Sequence, residues 1–193
     1  MPHNDLHLAS SSARRREILT TLGVSFTWAG VDIDETPLPH EPVVGIVRRL
    51  AVAKADAGRA VRDTPVLGAD TAVAVGDRIF GKPESMEDAL AMLGALSGRI
   101  HQVVTAVALS CDQGVLTAIS TTNVSFRKII ADEARAYWQS GEPAGKAGAY
   151  AVQGIGGIFV RELSGSYTGV VGLPVFETVG LLRQAGIELL TQA

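Results

Sequence analysis

The sequence predicts an α/β fold with a mixed central sheet flanked by helices. Three observations point there. Strand-like apolar runs alternate with stretches of helical period along the chain. Several neighbouring runs are separated by only a few turn-forming residues and pair as hairpins, which makes the sheet mixed rather than purely parallel. Glycine is abundant, 21 of 193 residues, and suits tight turns and close backbone approaches. The length allows one domain over residues 1–193, with room for two lobes. No composition shift marks a boundary between lobes, and the sequence carries no internal repeat, low-complexity tract or linker.

The elements follow in order. Residues 6–9 read as a short strand, followed by Ser10-Ser11-Ser12 and a helix with Ile18, Leu19 and Leu22 on one face. Ser12 is its expected N-cap and Gly23 its stop. Residues 24–33 read as extended. Residues 41–60 read as a helix with Val43, Val47 and Leu50 on one stripe. A strand spans 66–75, turns at Gly76-Asp77 and returns over 78–80. Residues 84–96 form a helix with Ala89, Leu90, Leu93 and Leu96 facing inward. Residues 103–109 and 115–126 pair across a turn at 111–114. A helix over 132–139 and a loop over 141–148 come next. Short strands are expected at 149–152 and 158–160, flanking Gln153-Gly154-Ile155-Gly156-Gly157. Pro174 opens a last helix that runs to about Gln184, with Gly186 past its end.

Composition bounds the function. Hydrophobic content is 47% and charged content 19%, the balance of a globular chain. A net charge of −3 argues against a general nucleic-acid surface, so any anion site is local. Cys111 is the only cysteine, which excludes an internal disulfide and suits a reducing compartment. No apolar run is long enough to span a bilayer, and residues 1–10 lack a basic region followed by an apolar core, so no secretory signal is expected. A cytoplasmic location follows by elimination. His3, His7, His40 and His101 are not spaced as zinc ligands. A metal, if used, should be a hard cation on carboxylates.

The most informative residue is Asp70, which interrupts the apolar run Pro65–Val75. A buried carboxylate costs several kcal/mol unless it is paired, hydrogen-bonded or holding a metal. The alternatives are a structural carboxylate satisfied by backbone amides and a turn residue after Gly68. Ser10, Ser12, Arg14 and Arg15 converge on one helix N-terminus, which suits an anion site in which a bound phosphate would offset the helix dipole's repulsion of cations; the alternative is a solvated basic turn. Lys54 continues the stripe of Val43, Val47 and Leu50. That spacing aims a lysine at the core or a cleft; the alternative, which this residue taken alone slightly favours, is a lysine that snorkels to water. Lys82 lies in a loop stiffened by Pro83, where a solvated lysine is the ordinary reading. Asp34 and Glu35 end an extended segment, where a carboxylate could join Asp70 around a divalent cation or simply make a turn. The glycines at 154–157 do not make a dinucleotide fingerprint. The turns at 165–167 and 172–174 precede a helix end that is a second, less supported anion site.

Taken together, Leu8-Ala9-Ser10-Ser11-Ser12-Ala13-Arg14-Arg15, Leu67-Gly68-Ala69-Asp70-Thr71, Gly81-Lys82-Pro83, the stretch Lys146 to Gly154 and Val171-Gly172-Leu173-Pro174 resemble the Maf family of nucleoside triphosphate pyrophosphatases, once described as septum-formation inhibitors. The matches run in order over nearly the whole chain. Ala13 departs from the proline usual in that family, but alanine is a strong helix former and little effect is expected. The resemblance implies a Maf/ITPase-like fold of two lobes with a cleft, usually as a homodimer. It implies metal-dependent hydrolysis (magnesium or manganese) between the α- and β-phosphates, giving a monophosphate and pyrophosphate. It makes Asp70 the general base and places Arg14, Arg15, Glu35, Lys54 and Lys82 around phosphate and metal; Glu35 is the expected metal ligand with Asp70, and the sequence leaves open whether Asp70 binds metal, accepts a proton or does both. Arg14, Thr71 and Gln153 bear on substrate choice. The stretches 99–107 and 150–153 look like the branch that acts on dTTP and UTP; a sister branch acts on methylated GTP and tends to carry glutamate at the position of Gln153. A glutamine amide can both donate and accept, which matches the N3–H and O4 of uracil and thymine, whereas a carboxylate only accepts and suits the adjacent donors of guanine. Side activity on modified pyrimidine nucleotides, a pool-cleaning role, is left open. So are another nucleotide as substrate and a non-enzymatic nucleotide-binding regulator.

Overall fold

In the computed structural model, which describes residues 6–189, the first strand, β1 (Leu6–Ala9), is buried at every position. That is the pattern of a strand covered on both faces. It pairs in parallel with β2 (Phe26–Ala29) and with β3 (Val66–Val75). The crossovers between these strands are helical: α1 (Ala13–Thr21) links β1 to β2, and α2 (Val43–Arg59) links β2 to β3. Then follow β4 (Arg78–Phe80), α3 (Met86–Leu96), β5 (Ile100–Cys111), β6 (Gly114–Phe126), α4 (Ala131–Gln139), β7 (Val160–Ser164), α5 (Tyr167–Val171) and α6 (Val175–Gln184). The strand order is β2-β1-β3-β5-β6-β7, with β4 antiparallel to β3 and β7 antiparallel to β6. The sheet is therefore mixed, as the hairpins in the sequence require. His3 and the Met1–Asp5 part of the leader reading lie outside the described residues.

The chain divides into two compact units. One takes the residues up to Asp70, Thr105–Ser120 and those from Gly172 onward. Its core gathers Leu6, Leu8, Leu19, Leu67, Val107, Leu109, Leu173, Leu181 and Leu182. The other takes Thr71–Val104 and Thr121–Val171, with a core of Leu93, Leu96, Phe126, Tyr137, Tyr150 and Phe159.

His101 sits inside that second core. Its ring packs edge-on against Phe126, with centroids 4.7 Å apart, and its Nε2 lies 2.9 Å from the Tyr150 hydroxyl. Its Nδ1 has no hydrogen-bond partner among the described residues. A charged imidazolium would leave a buried N–H unpaired, and burial lowers the His101 pKa to about 4. The unfolded chain therefore binds a proton on this residue near pH 6.5 that the folded chain refuses until about pH 4. The stability that His101 contributes is complete above the unfolded pKa and is lost as pH falls. The expected loss is up to about 3 kcal/mol. Urea unfolding at pH 7 and pH 4.5 checks it: His101→Phe should flatten the slope, and an unchanged slope removes His101 as its source.

Two stretches differ from expectation. The strands expected at 149–152 and 158–160 do not form. Ala147–Ala149 and Ile155–Phe159 are short 3₁₀ turns, and the strand is β7, which begins only at Val160. Gly148 and Ala149 both have left-handed backbone, with φ of 68° and 60°, which no strand tolerates. Short apolar runs do not distinguish a strand from irregular backbone that feeds a core. α5 was not expected either. The serine that caps it was present in the sequence: Ser166 Oγ accepts from the Gly169 amide at 2.9 Å.

Candidate active site

The N-terminus of α1 is built as its serines suggest. Ser12 is the N-cap, and its hydroxyl accepts a long, 3.5 Å hydrogen bond from the Arg15 amide. Ser10, buried at the end of β1, accepts from the Ser12 amide at 3.2 Å and from Arg15 Nη1 at 3.1 Å. Arg15 Nε donates in turn to the Gly172 carbonyl at 2.8 Å. Arg15 is thus a half-buried clamp between the first turn of α1 and the segment leading into α6. Burial lowers its pKa from the ordinary arginine value, the Asp70 and Glu35 carboxylates raise it, and Arg14 lowers it. Arg14 is half-buried beside it. Arg16 points its charge elsewhere: its guanidinium lies over the Trp28 ring, 3.8 Å from the centroid. The first turn contains no acidic residue to cancel these cations.

Lys54 and Asp70 meet in the same unit. Lys54 is buried, and its Nζ lies 2.7 Å from Asp70 Oδ1 and 2.7 Å from Glu35 Oε1. The helical stripe therefore aims Lys54 inward, and the snorkelling alternative does not hold. The close approach of α2 to β3 depends on Gly68. A Cβ there would collide with the Ala51 carbonyl oxygen and lie 2.6 Å from the Ala55 amide nitrogen. Gly68 lets the helix lie on the strand, and the helix delivers Lys54 to the carboxylate two residues further on. The Asp70 side chain is 14% exposed. Burial raises its pKa above the ordinary aspartate value, against the opposing pull of Lys54 and Arg15.

The two candidate acids at the end of the extended segment separate cleanly. Asp34 makes the turn: its carboxylate accepts from the Thr36 amide at 2.9 Å. Glu35 reaches Lys54, with its side chain 51% exposed. The segment is braced by a pair that was not singled out in the sequence. Arg49 on α2 forms a two-pronged contact with Glu41, at 2.8 and 2.7 Å, and donates to the Thr36 carbonyl at 3.2 Å. The Gly172 carbonyl was also missed; backbone acceptors have no sequence signature.

The donor set fits a hard divalent cation. Two carboxylates converge on one ammonium, which brings hard oxygen donors to one place. Magnesium-type ions commonly take one or two carboxylates and complete their shell with water and phosphate oxygens. Among the described residues no group of three or more His, Cys, Asp or Glu gathers as an all-protein cage.

Thr71, Lys82 and Gln153 belong to the second unit. Thr71 is half-buried and follows Asp70 on β3, so the strand pleat turns it to the opposite face. Lys82 is exposed on the loop after β4, where the Gly81 carbonyl accepts from the Gly148 amide at 3.0 Å. Gln153 is exposed in the turn before the second 3₁₀ segment.

The family model described as Maf-like protein matches residues 5–185. A protein of Pseudoalteromonas translucida named dTTP/UTP pyrophosphatase is 50% identical over 182 residues, 93% of this chain and 96% of its own. A protein of Saccharophagus degradans with the same name is 50% identical over 183 residues, 92% of this chain and 87% of its own. Among solved structures, the Staphylococcus aureus Ham1 protein is similar over 63% of this chain and 71% of its own, at 16% identity and a TM-score of 0.47.

Proposed function

The chain belongs to the Maf family, and from that premise we propose that it is a nucleoside triphosphate pyrophosphatase that hydrolyses dTTP and UTP to the monophosphate and pyrophosphate. The observation that carries the reading is Lys54, held between Asp70 and Glu35 in the same unit as an arginine-bearing helix N-terminus. Strong curated relatives bearing the name dTTP/UTP pyrophosphatase supply the substrates.

The triphosphate is taken by the first turn of α1, where Ser10 and Ser12 fix the loop and Arg14 and Arg15 supply positive charge. Asp70 orients a water and accepts its proton as the oxygen attacks in line. The phosphorus–oxygen bond to the leaving pyrophosphate breaks, and the monophosphate keeps the new oxygen. Lys54 holds the Asp70 and Glu35 carboxylates together. Those two carboxylates would hold a magnesium or manganese ion, which when bound supplies charge neutralisation at the phosphates. A general base must be ionised to act, and burial raises the Asp70 pKa. That shift brings its basicity closer to what proton abstraction needs. Thr71 and Lys82 are assigned to the substrate and Gln153 to pyrimidine choice, all three on the family resemblance. A homodimer and a cytoplasmic location belong to the same reading. No described helix is long and apolar enough to cross a membrane.

The test is pyrophosphate release from a panel of nucleoside triphosphates, first with magnesium or manganese and then with a chelator. Fast release from dTTP and UTP, slow release from ATP and GTP, and loss with chelator are expected. Preferential release from methylated GTP would keep the chemistry and overturn the substrate assignment. Folded protein that releases nothing from any nucleotide would point to binding without turnover.

A further inference from the structure

Gln153 is exposed, and its side chain makes no hydrogen bond to the described residues. The backbone on either side therefore sets where this side chain leaves the chain. That backbone is held by two side chains from outside the segment. Glu142 follows α4. Its carboxylate accepts from the Ile155 amide at 2.9 Å, the Gly156 amide at 2.9 Å and the Tyr137 hydroxyl at 2.6 Å. Tyr137, buried in the core, accepts at its hydroxyl from the Ala151 amide at 3.1 Å. The pair thus grips the chain two residues before Gln153 and two and three residues after it.

The glycines of the segment are shaped around this grip. A Cβ on Gly154 would lie 2.6 Å from the Glu142 carboxyl carbon, and one on Gly156 would lie 2.5 Å from the Tyr137 hydroxyl. Glycine-rich character here provides room for a carboxylate and a phenol. Burial would raise the Glu142 pKa, but the hydrogen bonds from Tyr137, Gly156 and Ile155 outweigh it and keep the group below the ordinary glutamate range. A carboxylate suits the place because it only accepts, and three donors point at it.

We propose that Glu142, acting with Tyr137, is a positioning residue for nucleotide choice: it pins the backbone around Gln153 so that the glutamine side chain starts from a fixed place when it meets the pyrimidine edge. The proposal rests on the assignment of Gln153 to pyrimidine choice. Preorganisation of this kind stabilises binding by removing the ordering cost from the binding step.

The experiment compares kcat/KM for dTTP, UTP and ATP in the wild type, Glu142→Gln, Tyr137→Phe, Gln153→Ala and the Glu142→Gln/Gln153→Ala double variant. Glutamine at 142 keeps the size but turns an NH₂ toward backbone donors. The dTTP-to-ATP ratio should fall about tenfold in Glu142→Gln, the loss appearing in KM for dTTP rather than in kcat. Tyr137→Phe keeps the ring in the core and should shift the ratio in the same direction by less. Amide hydrogen exchange at Ile155 and Gly156 should quicken in Glu142→Gln. In the Gln153→Ala background the Glu142 change should leave the ratio where Gln153→Ala put it. If Gln153→Ala lowers the ratio and folded Glu142→Gln does not, the positioning role is wrong while the Gln153 assignment stands. If Gln153→Ala leaves the ratio unchanged, both are overturned. A uniform fall of kcat on every nucleotide would reduce Glu142 to a structural residue.

Discussion

Asp70→Asn is expected to lower pyrophosphate release by about 10²–10⁴-fold, the range of a lost general base. Asparagine keeps the size and can still accept from Lys54, so the contact at 2.7 Å has a neutral replacement. The ability to take a proton disappears, together with the negative charge that faces Lys54 and would face a divalent cation. Folding should be spared, and the sign of the pKa shift says why. Burial raises the Asp70 pKa, so the folded protein disfavours this charge relative to the unfolded chain. The carboxyl keeps its proton to higher pH in the folded state than in the unfolded one. Its contribution to stability is therefore present at low pH and lost as pH rises through the folded pKa. A neutral side chain avoids that loss, and the melting temperature should hold or rise. The assay is pyrophosphate release together with a thermal melt followed by circular dichroism. Turnover near the wild-type level in a folded variant would remove Asp70 from the mechanism.

Gly68→Ala should damage both stability and activity. The added methyl meets backbone rather than a flexible side-chain end: the Ala51 carbonyl, the Ala55 nitrogen and, at 3.1 Å, the Ala55 Cβ. Relief requires α2 to lift from β3. Overpacking of this kind costs about 1–3 kcal/mol where side chains can adjust, and a backbone clash belongs at the upper end or above. That is a large share of a typical stability of about 5–15 kcal/mol. Lys54 rides on α2, so a helix that lifts also withdraws the ammonium from Asp70 and Glu35. A urea midpoint shift equivalent to about 3 kcal/mol and a turnover loss of at least tenfold are expected. An unchanged midpoint would mean that the helix accommodates the methyl and that Gly68 is not what brings Lys54 to the site.

The parts of this molecule that were readable in the sequence are those where local chemistry and tertiary packing agree. β1, β3 and β4 begin and end where the apolar alternation and the Gly76-Asp77 turn place them. Ser12 caps α1, and Pro174 precedes the first residue of α6. α3 starts two residues late because Ser85 is its cap. The stretch from Ala147 to Phe159 was not readable, because its hydrophobic residues enter the core from turns with left-handed backbone. At the site, Asp70 stood out as a carboxylate in an apolar strand and Lys54 as a cation on an apolar stripe. Their pairing depends on Gly68, whose role appears only when helix and strand are seen together. The choice of Glu35 over Asp34 came from family resemblance, since both are acids on the same irregular segment after β2. Glu142 had no local signal. Its partners are two backbone amides and a tyrosine hydroxyl from the preceding helix, and neither kind marks a loop acid in a sequence.

The hydrogen bond from Arg15 to the Gly172 carbonyl has a consequence in time. The two residues are 157 apart in sequence. At a synthesis rate of roughly 5–20 residues per second, on the order of 8–30 s separates their appearance on the ribosome. During that interval Arg15 exists without its carbonyl partner, and the first unit lacks the segment from Gly172 onward that supplies Leu173, Leu181 and Leu182 to its core. A nascent chain therefore carries the whole Lys54–Asp70 pair long before the guanidinium clamp can lock. The first turn of α1 is therefore anchored last, as the final core residues of its unit are being made.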